Sequence, residues 1–252
     1  MERKFEGKTA IVTGAGRGMG RAVALKLAEG GAAVVVNDVN ADNARAVVAE
    51  IAASGGRAMS WLADVSSFEQ VQAMVDAAVK EFGTVDILVN NAGILRATKP
   101  LENIPVDEWD LMMAVNVRGV FNCTKAVLPV MKAQRSGNIV NVSSSAGRCT
   151  STFGGAHYTA SKAAVLGLTR HTAREAARFG IRVNATAPGS MDTDMVRELS
   201  TPEHIEKERA ANLLGRLGTA DDEASLVAFL ASDESSYITG ATIDLNGGDL
   251  MM

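Results

Sequence analysis

The stretch that most limits what this chain can fold into lies near its start. Lys8-Thr9-Ala10-Ile11-Val12-Thr13-Gly14-Ala15-Gly16-Arg17-Gly18-Met19-Gly20 is followed by a helical run and then by Ala32-Ala33-Val34-Val35-Val36-Asn37-Asp38. An apolar strand enters a glycine-rich turn, a helix leaves it, and a second apolar strand ends on an acid. A pyrophosphate can approach a backbone only where side chains are absent, and the N–H groups at the start of the next helix supply donors and partial positive charge. Gly14, Gly18 and Gly20 give that clearance, with Arg17 and Met19 in the same turn. Asp38 follows Gly20 by 18 residues, close to the spacing at which an acid reaches the adenine-side ribose hydroxyls of a dinucleotide. Three glycines alone equally describe a plain turn. Their place between strand and helix, with the acid downstream, predicts a dinucleotide site.

The alternation continues along the chain. Helical periodicity from Ala41 to Ala53 is followed by a third strand at Ala58–Leu62, a helix from Phe68 to Phe82 closed by Gly83, and a near-continuous apolar strand at Val85–Asn90. Asp107 then suits the N-cap of one long helix running to Gln134. A fifth strand at Asn138–Ser143, a helix from Ala156 to Phe179 stopped by Gly180, and a sixth strand at Ile181–Ala187 follow. Residues 190–215 are more polar and predict one or two short helices. A helix at Ala220–Ser232 and a seventh strand at Ala241–Leu245 end the pattern. Repeated βαβ crossovers imply an α/β fold with a doubly wound, parallel, seven-stranded sheet and helices on both faces. Residues 1–252 are expected to form one domain, with 190–215 as an insertion over the substrate.

Composition narrows the function. A length of 252 residues with 47% hydrophobic content can bury a full core. A net charge of -4 and 4% aromatic residues give neither the electrostatic footprint nor the stacking platform of a nucleic-acid partner. No apolar run approaches the ~18 residues that span a bilayer, and Met1-Glu2-Arg3-Lys4 is not followed by a signal-peptide core, so a cytoplasmic protein is expected without membrane attachment. Cys123 and Cys149 lack C-x-x-C spacing and read as free thiols, and His157, His171 and His204 show no ligand spacing, so no metal is expected.

Tyr158-Thr159-Ala160-Ser161-Lys162 places a phenol and an ammonium four residues apart, on one face of a helix. At ~4 Å and an effective dielectric of ~20, a neighbouring cation contributes about 4 kcal/mol, enough to lower a phenol pKa by roughly three units before screening. Such a phenol exchanges protons with an alcohol or ketone oxygen near neutrality. Upstream, Ile139-Val140-Asn141-Val142-Ser143-Ser144-Ser145-Ala146-Gly147 ends a strand in hydroxyls at the edge where open α/β sheets bind ligands.

Together, Thr13-Gly14-x-x-x-Gly18-x-Gly20, the Asn90-Asn91-Ala92-Gly93 run, the serine-ended strand and Y-x-x-x-K resemble the short-chain dehydrogenase/reductase family, in its 3-oxoacyl-carrier-protein-reductase-like branch, over about residues 7–248. The resemblance implies a Rossmann-type fold and hydride transfer between a nicotinamide and a carbinol or carbonyl carbon. It implies Tyr158 as general acid/base, Lys162 as the group that tunes it and holds the nicotinamide ribose, Ser144 as donor to the reacting oxygen, and Asn116 as a link in a proton relay. Ser143 and Ser145 stay open beside Ser144. Ser145 lies 13 residues before Tyr158 and Ser144 lies 14, and the S-x-x-G match at the strand end selects Ser144. Asp64 and Val65 are expected at the adenine, Asn91, Ala92 and Gly93 along the coenzyme, and Pro188, Gly189, Met191 and Thr193 at the carboxamide. The family also implies a homotetramer. Asp38 repels a 2′-phosphate more strongly than Arg17 attracts it, so the expected coenzyme is NAD, and the expected substrate is a secondary alcohol or ketone of hydroxyacyl, cyclic or polyol type. Two alternatives stand beside this reading: an NADPH-dependent 3-oxoacyl thioester reductase, and a nucleotide-binding protein without turnover. Arg96 or Arg148 could hold a substrate anion, or be solvated surface arginines.

Overall fold

The computed structural model describes residues 3–251; Met1, Glu2 and Met252, which the sequence reading puts in the same domain, lie outside the described residues. Seven strands form one parallel sheet: β1 (Thr9–Val12), β2 (Ala33–Asp38), β3 (Arg57–Leu62), β4 (Ile87–Asn90), β5 (Gly137–Val142), β6 (Ile181–Pro188) and β7 (Thr242–Leu245), in the order β3-β2-β1-β4-β5-β6-β7. The order reverses direction between β1 and β4, and the loops leaving those two strands part there to open a crevice.

Side-chain alternation along the strands builds two cores. Ala10, Val12, Val34, Val36, Val89 and Val140 face one side, where α1 (Gly18–Glu29), α2 (Ala41–Ala53) and α9 (Ala220–Ala231) pack. Ile11, Val35, Leu88, Ile139 and Val183 face the other, covered by α3 (Phe68–Phe82), α5 (Gly119–Gln134) and α6 (Ala156–Ala176). Both sides of β1 and β4 are thus dry, which is why those strands carry no alternation of polar and apolar residues. The helix α3 buries Val71, Met74, Val75 and Ala78, the spacing of one helical face, and Gly83 ends it in the left-handed region at φ 87.

The single helix expected from Asp107 to Gln134 is not what forms. Pro105 is the N-cap, Asp107 lies in the first turn of α4 (Val106–Met113), and a π-helical turn at Ala114–Arg118 separates α4 from α5. Proline has no N–H to leave unsatisfied at a helix start, so it displaces the acid from the cap. The wider turn carries Asn116 inward, where its Oδ1 accepts from the Ile94 amide at 2.8 Å and its Nδ2 donates to the Ile94 carbonyl at 3.0 Å. The helix expected to reach Phe179 ends as α6 at Ala176, tightening to a 3₁₀ turn at Ala177–Phe179 before Gly180 at φ 74. In the segment 190–215, Thr193 and Thr201 cap two short helices, α7 (Asp194–Leu199) and α8 (Pro202–Ala211).

Candidate active site

The glycine turn is held open by hydrogen bonds from its neighbours. Asn91 Nδ2 donates to the carbonyls of Thr13 and Gly14 at 2.9 and 3.0 Å, and the Asn91 and Ala92 amides donate to Thr13 Oγ1. Gly14 adopts φ +60, and a Cβ there would stand 2.8 Å from Ala92 Cα, so the loops leaving β1 and β4 approach as closely as they do only because the residue is glycine. A Cβ at Gly18 would enter open space, but φ +55 restricts the position for any other residue.

The first turn of α1 differs from those of α2, α3 and α9. Asn40, Ser67 and Thr219 cap those three, whereas Arg17 gives α1 no side-chain cap and its first turn holds no acid. α6 shares both features, so it is the place of α1 directly after the glycine turn that sets its leading N–H groups facing the cleft, where they favour an anion. Asp38 closes the far end. Its Oδ2 accepts from the Gly16 amide at 2.9 Å and its Oδ1 from the Asn40 amide at 2.9 Å, which fixes the carboxylate while leaving lone pairs for ribose hydroxyls. Gly14, Arg17, Gly18, Met19, Gly20, Asp38, Asp64, Val65, Asn91, Ala92, Gly93 and Thr193 line one open cleft, whose donor set fits a dinucleotide.

A second cavity opens from this cleft and shares Met19, Asn91, Gly93 and Thr193 with it. Ser144, Tyr158, Lys162, Pro188, Gly189 and Met191 line it. Asn116 is the one expected residue that reaches neither space. It is buried behind Gly93, whose added Cβ would lie 3.3 Å from Asn116 Oδ1 and 3.6 Å from Lys162 Nζ, and its Nδ2 also donates to Ser161 Oγ at 3.1 Å. The three serines separate by direction: buried Ser143 donates to the Lys162 carbonyl at 2.9 Å, whereas the Ser144 hydroxyl lies by the Tyr158 phenol and lowers its pKa. Ser143 and Ser145 also border the cavity.

The electrostatics correct one expectation. Burial of the largely enclosed Tyr158 raises its phenol above the ordinary value, a pull that exceeds the lowering by Ser144. The three-unit depression by Lys162 does not appear. Lys162 Nζ sits 5.7 Å from the centre of the Tyr158 ring and donates to the Val142 carbonyl at 3.0 Å, and burial pushes its own pKa down to about 8. A cation that is itself desolvated, and turned toward a carbonyl, stabilises a phenolate less than one held in contact.

Sequence reasoning missed Val115 on the coenzyme cleft and Asp249 on the cavity wall, while Ile94 and Met195, which fall in the segments 94–104 and 190–214 expected to line the substrate pocket, reach both spaces. Asp249 arrives from the tail after β7, and nothing in its local sequence marks it. Arg148 is no anion site: its Nε lies 2.8 Å from Asp244 Oδ1 and its guanidinium donates to the Thr242 carbonyl, tying the loop after β5 to β7. Arg96 donates to its neighbour's carbonyl and does not line the cavity. Cys123 is buried and Cys149 exposed, both as free thiols, and no group of metal-binding residues or membrane-crossing helix occurs among the described residues.

Comparison with known proteins bears on the family and the fold. Residues 14–249 match a family model described as enoyl-(acyl carrier protein) reductase. The 3-oxoacyl-[acyl-carrier-protein] reductase of Staphylococcus aureus is 46% identical over 246 residues, covering 97% of this chain and 98% of that protein. Among solved structures, a 3-oxoacyl-[acyl-carrier protein] reductase with bound NAD from Brucella melitensis superposes with a TM-score of 0.92 at 35% identity, over 100% of this chain and 94% of the other. A 7α-hydroxysteroid dehydrogenase complexed with NADH and 7-oxo glycochenodeoxycholic acid gives 0.93 at 36% identity, over 98% and 96%. Matched by the family model over residues 14–249 and by a relative 46% identical along nearly the whole of both chains, this chain belongs to the short-chain dehydrogenase/reductase family, the nicotinamide-dependent oxidoreductases that interconvert CH–OH and C=O.

Proposed function

We propose that the protein is an NADH-linked reductase of 3-oxoacyl thioesters, folded as one domain with residues 190–215 over the substrate. The observation that carries this reading is the character of the cavity beside Tyr158. Ile94, Leu95, Phe153, Met195 and Val196 give it an apolar wall, and among the described residues Lys162 is its sole cation and Asp249 its sole anion. A neutral acyl chain fits such a wall, whereas a substrate carboxylate would meet Asp249 and no arginine. Similarity to 3-oxoacyl reductases supports the thioester class over the broader secondary-alcohol reading, and the fixed carboxylate of Asp38 supports NAD(H) over NADP(H).

In the reductive direction the bound nicotinamide supplies the hydride. Ser144 donates a hydrogen bond to the ketone oxygen, and Tyr158 gives its proton to the same oxygen as charge develops there. A phenol raised above its ordinary pKa is protonated at neutral pH, the state a reductase needs. Lys162 supplies the positive potential that stabilises the phenolate left behind, and Asn116 holds Ile94 and Ser161 in place behind the site. The exposed apolar residues Val106, Trp109, Leu111 and Phe121 on α4 and α5 support a homotetramer packed through those helices.

The test is the initial rate of NADH oxidation with 3-oxoacyl thioesters of increasing chain length, beside NAD reduction with cyclic alcohols, sugars and polyols. Thioesters should turn over fastest. Turnover confined to the cyclic alcohols would overturn the substrate assignment.

A further inference from the structure

Glu223 is fully buried on α9, on the side of the sheet opposite α6, and the reaction described above makes no use of it. A carboxylate with no exposure needs a partner, since an isolated buried charge is costly. One oxygen has such a partner: Thr186 Oγ1 donates to Glu223 Oε1 at 2.6 Å. The other oxygen, Oε2, is buried and meets no donor among the described residues.

The sheet register shows what this carboxylate lies beneath. Thr186 of β6 pairs with Val142 of β5, and the Val142 carbonyl is the group that accepts from Lys162 Nζ at 3.0 Å. The Glu223 hydrogen bond and the Lys162 hydrogen bond therefore end on two paired residues of adjacent strands, one reached from each face of the sheet.

Other charges on the elements around α9 are already occupied. On α1, Arg21 pairs with Glu50 and Lys26 with Glu29; on β6, Arg182 donates to the Leu230 and Ser232 carbonyls at the far end of α9 and lies near Asp233; Glu234 pairs with Lys4. On α9 itself, Asp222 binds Arg216 and the Thr219 cap at the surface, and Asp221 is exposed. Arg148 near the sheet edge is bound to Asp244. β5 carries no charged residue. Lys162 is buried and has no carboxylate in contact among the described residues.

We propose that Glu223 is the counter-charge of Lys162, a positioning residue that acts through the sheet edge and, when ionised, holds the lysine protonated. This rests on the role given to Lys162 above. The two groups bias each other in the expected senses: burial pushes Glu223 up to about 7 while Lys162 pulls it down, and Glu223 raises Lys162 against the burial that lowers it to about 8. Below about pH 7 Glu223 is neutral and exerts no hold. Above it the carboxylate is charged, and it extends the range over which Lys162 remains a cation.

The experiment uses Glu223→Gln, which keeps an acceptor for Thr186 and removes the charge. The titration of Lys162 is followed through the carbon-13 signal of its ε-methylene in lysine-labelled protein, assigned with Lys162→Met, and kcat/KM for thioester reduction is measured from pH 6 to 9.5. The Lys162 midpoint should fall by about one pH unit, the scale of a nearby opposite charge. kcat/KM should stay within about twofold of wild type at pH 6 and drop about fivefold or more at pH 9. A Lys162 midpoint that does not move overturns the proposal, as does a rate loss equal at all pH values, which is the mark of a structural defect. A midpoint that falls with no change in the pH profile supports the pairing and refutes the catalytic role of Lys162, so the two failures are separable. Thermal unfolding gives an independent check. A carboxyl whose folded pKa lies above its unfolded one loses stability as pH rises through the folded value, so Glu223→Gln should gain melting temperature over wild type at pH 8 relative to pH 5. If Glu223→Gln does not fold, Thr186→Val serves instead. It removes the donor that favours the carboxylate, and it should lower the Lys162 midpoint in the same direction; no movement there overturns the proposal equally.

Discussion

The two halves of the cleft are built on different principles. The coenzyme half, between the ends of β1, β2 and β4, is shaped mainly by backbone: glycines where side chains would collide, an uncapped helix start, and Asn91, Thr13 and Asp38 holding the turn through main-chain groups. The substrate half, beyond β5 and β6, is shaped by side chains drawn from distant parts of the chain, with Ser144, Tyr158, Met195 and Asp249 meeting on one cavity. A site made of backbone tolerates few substitutions at its turn and recognises a ligand common to many enzymes. A site made of side chains can change its specificity without disturbing the fold.

That contrast can be broken most sharply at Tyr158. Replacement by Phe removes one oxygen on the side-chain half, so turnover should fall at least the ~100-fold typical of lost general acid/base catalysis while coenzyme binding, measured by NADH fluorescence, is unchanged. Retention of more than about a tenth of wild-type turnover, where chemistry limits the rate, contradicts the role of Tyr158. On the backbone half the pattern should reverse. Gly14→Ala forces a Cβ at φ +60 to within 2.8 Å of Ala92 Cα, a strain of about 1–3 kcal/mol, so NADH affinity should weaken about tenfold and the melting temperature should drop. An unaltered affinity would show that the turn does not contact the coenzyme.

Asp38 is a side-chain determinant inside the backbone half. Asp38→Ser removes the charge facing a 2′-phosphate and should move the NAD-to-NADP ratio of kcat/KM about fivefold toward NADP. Wild-type preference for NADP would exclude the NAD assignment. The arginines should have the smallest effect on kinetics. Arg96→Ala and Arg148→Met should each change KM for thioesters by less than about twofold, and Arg148→Met should in addition lower the melting temperature because Asp244 loses its partner. A large KM increase in either would show that the substrate carries an anion after all.

Local chemistry in the sequence was sufficient for the sheet, the glycine turn and the Tyr158–Lys162 helix, because each depends on residues close together in the chain. Apolar runs buried on both faces form central strands, Gly83 and Gly180 end helices by adopting φ that other residues resist, and a four-residue spacing puts two side chains on one helical face. Helix starts were less legible: Asp107 is a good cap by type, yet Pro105 takes the position and a π turn breaks the helix so that Asn116 can meet Ile94. Tertiary structure alone decided the direction of each serine in Ser143-Ser144-Ser145, the loss of Arg148 to Asp244, and the upward shift of Tyr158. It also brought Glu223 beneath the strand pair that carries Lys162, although 61 residues separate the two in sequence. Periodicity and turn chemistry are short-range and survive in a string of residues. Desolvation and charge coupling depend on which atoms surround a group, and the chain sets those only when the sheet has closed.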